Sequence, residues 1–297
     1  MDASYTFNHF NYFQNSTYFF DDKTPSYLMQ SEYFGELETG IPVSNHGKVT
    51  IGITSAFTNS KYYQNNLFSR VDTTDQTSFN FFSPAIRFEL NNLNRKQYAN
   101  AGAQFLMSVD YVNGNEDFLP GSFSHSKTEI ENGKQWFQYR ILWDNYFKAM
   151  GPLRLGFYGE CLLSNQPLFS NYTSSLLYAP EFSPIPEMKT IFLPSYRAYN
   201  YAALGLKGVL RIYKKIEFRL EGYIFQPYQS ILENPANQTA YYGKPFSNRS
   251  FLYSTAIVYN TFLGPISVGV NFYDKNTNPY TLNLNFGYII FNKRALK

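Results

Sequence analysis

The chain has 297 residues, long enough for one large domain or two modest ones. Its 25 basic and 22 acidic side chains nearly cancel, which argues against a nucleic-acid binder, and its single cysteine excludes an internal disulfide framework or a cysteine-rich zinc site. Mean hydropathy is −0.36 and no apolar run approaches the ~18–20 residues of a spanning helix, yet the chain carries 27 Tyr and 29 Phe, far more than a soluble core needs.

The N-terminal MDASYTFNHF has no basic segment followed by an apolar one, so no export signal is read there. The expectation is a C-terminal piece of a longer protein that continues upstream of Met1, with residues 1–297 forming one domain. Strands are predicted over 4–12, 26–41 and 48–57, then over 78–93 and 103–112 after a polar loop at 59–77. A second polar loop at 113–134 precedes strands 135–147 and 153–163, joined through Ala149-Met150-Gly151-Pro152. The longest loop, 164–196, holds five prolines. Strands 202–213 and 216–225 follow, joined only by Lys214-Lys215, and a further long loop covers 226–248.

The last stretch, 251–291, is the clearest. In one run Ile266, Val268, Val270 and Phe272 alternate with Ser267, Gly269, Asn271 and Tyr273; in the next Leu282, Leu284, Phe286, Tyr288 and Ile290 alternate with Thr281, Asn283, Asn285 and Gly287. Period-two alternation of large apolar with small or polar residues is how a barrel wall reads, with lipid outside and water inside. The total is about twelve strands with long loops at one end and short turns at the other, which a soluble sandwich has no reason to sort. The predicted fold is therefore all-β: a transmembrane antiparallel meander barrel.

Parity places charge on the inner face: Glu32, Glu36 and Glu38 on one strand, Arg87 and Glu89 on another, then Arg140 and Asp144, Arg154 and Glu160, Lys207 and Arg211, and Glu217, Arg219 and Glu221. Such charges must meet water or pair across strands, either as a structural network or as a selective conduit. Cys161 falls on the apolar face as a small hydrophobe. There is no nucleophile elbow, phosphate-cradling glycine loop or His-Glu-x-x-His, and the three histidines are scattered, so neither catalysis nor a cofactor is expected of this chain.

Three features resemble the bacterial surface antigen superfamily, which includes BamA-type assembly factors, two-partner secretion transporters and patatin-like phospholipases with a fused barrel. They are the turn from Asn91-Asn92-Leu93-Asn94-Arg95 to Ala101-Gly102, the Gly264-Pro265 turn before the penultimate strand, and a terminal strand whose Gly287 and Phe291 stand like the family's C-terminal assembly signal. The resemblance implies the last twelve strands of a sixteen-stranded barrel in the bacterial outer membrane. It also implies a lumen-inserted loop pinned by Arg197 of Tyr196-Arg197-Ala198-Tyr199 to Glu217 or Glu221, with a surface arginine as the alternative. Leu220 to Tyr228 and the ending Phe286 to Leu296 are most similar to patatin-like proteins of the Bacteroidota. That implies a barrel anchoring or translocating an N-terminal lipid acyl hydrolase. The partners implied are outer-membrane lipid, patatin-like and periplasmic repeat domains of the same protein, and the outer-membrane assembly machinery; self-association is left open. The rival readings are an assembly factor, a passive channel and a soluble carbohydrate-binding sandwich.

Overall fold

The computed structural model describes residues 1–12, 26–64, 68, 71–276, 278–288 and 293–296. Its strands are β1 (Asp2–Tyr12), β2 (Leu28–Ser44), β3 (Gly47–Tyr62), β4 (Asp75–Asn91), β5 (Ala103–Leu119), β6 (Ile130–Met150), β7 (Leu153–Ser164), β8 (Tyr201–Tyr213), β9 (Ile216–Pro227), β10 (Ile231–Asn234), β11 (Thr239–Tyr242), β12 (Ser250–Thr261), β13 (Gly264–Tyr273) and β14 (Tyr280–Phe286). Twelve of them form one antiparallel meander in the order β1 to β9, then β12 to β14, while β10 and β11 make a separate hairpin inside the β9–β12 connection. A short α-helix, α1 (Tyr172–Leu177), lies in the β7–β8 loop.

The alternation sorts the two faces as expected. Leu204, Leu206, Leu282, Leu284 and Phe286 point outward and are exposed, as are Ile51, Ile86, Phe137, Ile141 and Trp143. Cys161 lies between Phe157 and Leu163 on the same outer row of β7. The inner face carries Glu36, Glu160, Lys207, Arg219 and Glu221, all buried. Connections at 45–46, 151–152, 214–215 and 262–263 are tight, whereas those at 63–74, 120–129, 165–200 and 228–249 are long and share the opposite end. The one long connection on the tight-turn end is 92–102.

The strands outrun their predicted ends. The ladder extends to Asp75↔Tyr62 and to Phe118↔Ile130, through stretches that read as polar loop. Beyond the apolar band the outer face is wet, so a strand there loses its period-two signature while keeping its backbone ladder. In β4, Pro84 has no N–H to give, and the β4–β5 ladder skips from Phe82↔Asn113 to Ala85↔Asp110. Among the described residues no ladder joins β14 to β1, so both strands are sheet edges.

Much of the interior is occupied by the protein itself. Residues of the 165–200 loop (Phe182, Ile185, Met188, Leu193, Tyr196) pack against inward Tyr158, Leu162, Tyr223, Phe225, Leu252 and Tyr273. A second cluster sets Phe169, Leu177 and Tyr178 against Phe79, Phe81 and Trp136 of the wall. One glycine makes this packing possible: a Cβ on Gly205 would sit 2.2 Å from the Tyr223 ring, its cross-strand neighbour. Gly205→Val should therefore lower the stability of the folded barrel by roughly 1–3 kcal/mol through overpacking. Tyr223→Ala in the same chain should recover part of the loss, with the heat-induced mobility shift on unboiled gels as the readout.

Candidate functional site: a lumen filled from both ends

The inward charges divide into four groups across the wall. Arg87 of β4 bridges Glu38 of β2 at 2.9 Å and Asp110 of β5 at 3.2 Å, with Glu36 at 3.7 Å. Arg140 of β6 meets Glu160 of β7 at 2.7 Å, and the same carboxylate accepts from the hydroxyls of Tyr158 and Tyr201. Lys207 of β8 reaches across to Asp144 of β6 at 2.7 Å, beneath the rings of Tyr146 and Tyr158. On β9, Arg219 forks onto Glu221 at 2.9 Å, and Tyr223 donates to the other oxygen of that carboxylate. These charges are compensated in place, as burial demands. Between them and the inserted loop lies a cavity of about 950 Å³, lined by Glu38, Arg87, Arg95, Arg140, Lys189 and Arg294 among others.

The remaining predicted charges lie nearer the tight-turn rim. Glu89 is 3.7 Å from Lys48. Arg154 is half-buried and donates to the carbonyls of Gly151 and Leu153, while Arg211 is exposed. Gly287 follows β14 with φ of +83° and donates its N–H to Pro265 O at 2.8 Å. Phe291 lies outside the described residues.

Arg197 does enter the lumen, but it does not pair with Glu217 or Glu221. The two arms of the 165–200 loop run side by side: Phe182 N donates to Tyr196 O, Ala198 N to Pro180 O, and Glu181 and Arg197 form an isolated bridge. That pairing delivers Glu181 to the Arg197 guanidinium, which also donates to the carbonyls of Leu177 and Ala179 and stacks on Phe192. Glu221 is already held by Arg219. Glu217 accepts from Arg95 at 2.8 Å and from Asn100 at 2.7 Å. Arg197 is thus a rivet inside the loop. The loop meets the wall through other groups: Asn171 to Tyr62, Ser170 N to Glu116, Tyr178 with Thr58, and Tyr196 to the carbonyl of Phe251.

The 92–102 turn enters from the opposite end. Gly102, at φ +91°, closes it, since a Cβ there would lie 2.3 Å from Asn92 O. Arg95 and Asn100 fasten it to Glu217, and Arg219 holds the carbonyls of Tyr98 and Ala99 at 3.2 and 2.9 Å. Tyr98, itself at φ +53°, donates its hydroxyl to Glu187 of the 165–200 loop and touches Ser267 of β13. Glu187 also accepts from Asn285 of β14 at 3.0 Å. Burial first, and then the Glu187 carboxylate, push the Tyr98 phenol above its ordinary value and keep it the donor. The two insertions therefore meet, and they hold an edge strand at the meeting point.

A third contact spans the sheet edges. Residues 293–296 lie on the inner face of β1 and β2: Lys293 meets Glu36 at 2.6 Å and Glu38 at 3.3 Å, Arg294 meets Glu32 at 3.0 Å, and Ala295 N donates to Glu32. Asn8 of β1 donates to Lys293 O at 2.8 Å. Although burial draws the Lys293 amine down, Glu36 and Glu38 carry it above its usual value. Its share of the clasp is accordingly present at neutral pH and lost only as pH rises through that elevated value.

Sequence parity found the wall charges but missed Asp110, Glu181, Glu187, Tyr98 and the tail. Only the turn around Tyr98 and the Lys293-Arg294 ending offered a signal, as pieces of motif. Among the described residues no three His, Cys, Asp or Glu side chains come together as a metal site.

No family profile and no curated protein sequence matches the chain. Solved structures do. BamA from Haemophilus ducreyi lacking POTRA domains 1–3 superimposes with a TM-score of 0.51 at 10% identity, over 86% of this chain and 53% of that one. The β domain of the Bordetella autotransporter BrkA aligns over 95% of this chain and 94% of its own, with a TM-score of 0.40 and 9% identity. The chain thus spans about half the length of the BamA structure, and the likeness is one of fold.

Two outcomes follow. Arg197→Ala should loosen the 165–200 loop by about 3 kcal/mol, since it strips a buried guanidinium from its carboxylate and two carbonyls. Limited proteolysis should then cut within 165–200 while the gel shift of the barrel persists, and Glu217→Gln should not reproduce that cut. Lys293→Gln with Arg294→Gln should raise amide hydrogen exchange in β1 at least roughly tenfold and leave β5 and β6 unchanged.

Proposed function

We propose that this chain is an outer-membrane β-barrel domain that anchors, and translocates or displays, a catalytic part of its own protein. A patatin-like lipid acyl hydrolase is the part favoured by the resemblance of 220–228 and 286–296. The observation that carries the anchor reading is the lumen filled by residues 165–200 and 92–102 and joined at Tyr98–Glu187. A wall greasy outside and occupied inside by its own loops suits a holder of attached domains better than an open diffusion channel. In this reading the chain does no hydrolysis itself. Its partners are outer-membrane lipid, the preceding patatin-like and periplasmic repeat domains, and the machinery that assembles outer-membrane barrels.

The free edges of β1 and β14 favour a second reading, an assembly factor whose exposed backbone groups engage strands of other barrels. Depletion separates the two: the anchor reading predicts loss of surface-displayed hydrolase alone, and the assembly reading predicts accumulation of unrelated unfolded barrels. Planar bilayers test the plug. Wild type should stay closed, and replacing 183–192 by a short Gly-Ser link should open a steady conductance. An open wild type would instead identify a passive channel.

A further inference from the structure

Building on the membrane-barrel reading, we propose that the tight-turn rim beneath β6–β9 is a docking surface for anionic phospholipid headgroups. Lys148, Lys214 and Lys215 are all exposed there, at one end of the neighbouring strands β6 to β9; Arg211 is exposed as well but stands opposite Glu217, on the inner row. Among the described residues none of the three lysines lies within ion-pair distance of a carboxylate; the nearby acids are engaged, Asp144 by Lys207 and Glu217 by Arg95. Elsewhere along this rim the pattern differs. Lys48 faces Glu89, and the 262–263 turn presents Phe262 and Leu263 without charge.

The geometry is built by backbone irregularity. A register shift between Asn145 and Lys148 sets Lys148 opposite Leu155, on the outer row that Phe157 and Cys161 share, so its ammonium faces the lipid side. A second shift between Arg211 and Tyr213 places Tyr213 opposite Ile216. Bulges at barrel rims re-aim side chains in this way. The two turns are tied together, since Arg211 N donates to Pro152 O at 2.9 Å, and Asn260 N on β12 holds Lys215 O at 2.9 Å. Exposed Phe147, Met150, Ile212 and Tyr213 flank the cations. Apolar and aromatic groups at acyl depth with lysines at headgroup depth match a phosphodiester on a hydrocarbon chain, and each lysine near such a surface is worth roughly a fivefold preference.

Trp143 offers a built-in reporter: it lies exposed on the outer row of β6, five residues before Lys148, whereas Trp136 is buried. The full chain would be folded into phosphatidylcholine bilayers in which either phosphatidylglycerol or phosphatidylcholine, at equal mole fraction, carries brominated acyl chains. Brominated phosphatidylglycerol should quench Trp143 more strongly, the difference should shrink with added salt, and Lys148→Gln/Lys214→Gln/Lys215→Gln should abolish it without changing the gel shift. Equal quenching by the two lipids in wild type, or a preference that survives the triple substitution, would overturn the proposal. Absence of quenching by either lipid would overturn the membrane-barrel reading beneath it. The wild-type comparison decides the matter even where the triple variant fails to fold.

Discussion

Charge turned inward is the constraint on which this molecule rests. Twelve strands with an apolar outer row have only one place to put Glu36, Arg87, Arg140, Glu160, Lys207, Arg219 and Glu221, and each must be compensated there because its wall side is closed to water. The solution is local: cations and carboxylates on the same, adjacent or next-but-one strands bind one another, with tyrosine hydroxyls taking up the spare oxygens of Glu160 and Glu221. Once the wall is neutral within itself, the lumen can accept a loop whose core-facing residues are apolar. That is why Phe182, Met188 and Tyr196 can bury fully against a wall of charged strands.

How much of this could be read from the chain depends on range. Alternation is a local signal, and it located the outer rows of β6, β7, β13 and β14 and the parity of the inner charges. Strand ends were lost where both faces meet water or loop, as in 113–119, because alternation then carries no contrast. The Arg197 partner was lost for a different reason. Its carboxylate comes from sixteen residues earlier in the same loop, delivered by two extended arms lying together, and nothing in spacing or composition encodes that pairing. Likewise Lys293 and Arg294 could be seen as a basic ending, but their seat on β2 depends on the curl of the whole sheet.

Edges explain the tail. A sheet that ends at β1 and β14 leaves backbone groups unpaired, and ladder bonds are the usual remedy. Here side chains span the gap from within, using Glu32 and Glu36 of the second strand rather than the edge strand alone. Because Glu36 also lies near Arg87, the clasp is joined to the charge system of the central wall.

The left-handed backbone at Tyr98 has one further implication. A side-chain-bearing residue held at positive φ costs about 1–2 kcal/mol, and the turn recovers this through Glu187, Ser267 and the carbonyls gripped by Arg219. Linkage is reciprocal, so withdrawing residues 186–190 from one side relaxes the turn on the other, and disturbing the turn loosens the insertion. The 92–102 turn and the 165–200 insertion are thus coupled through the Tyr98 phenol and the Glu187 carboxylate.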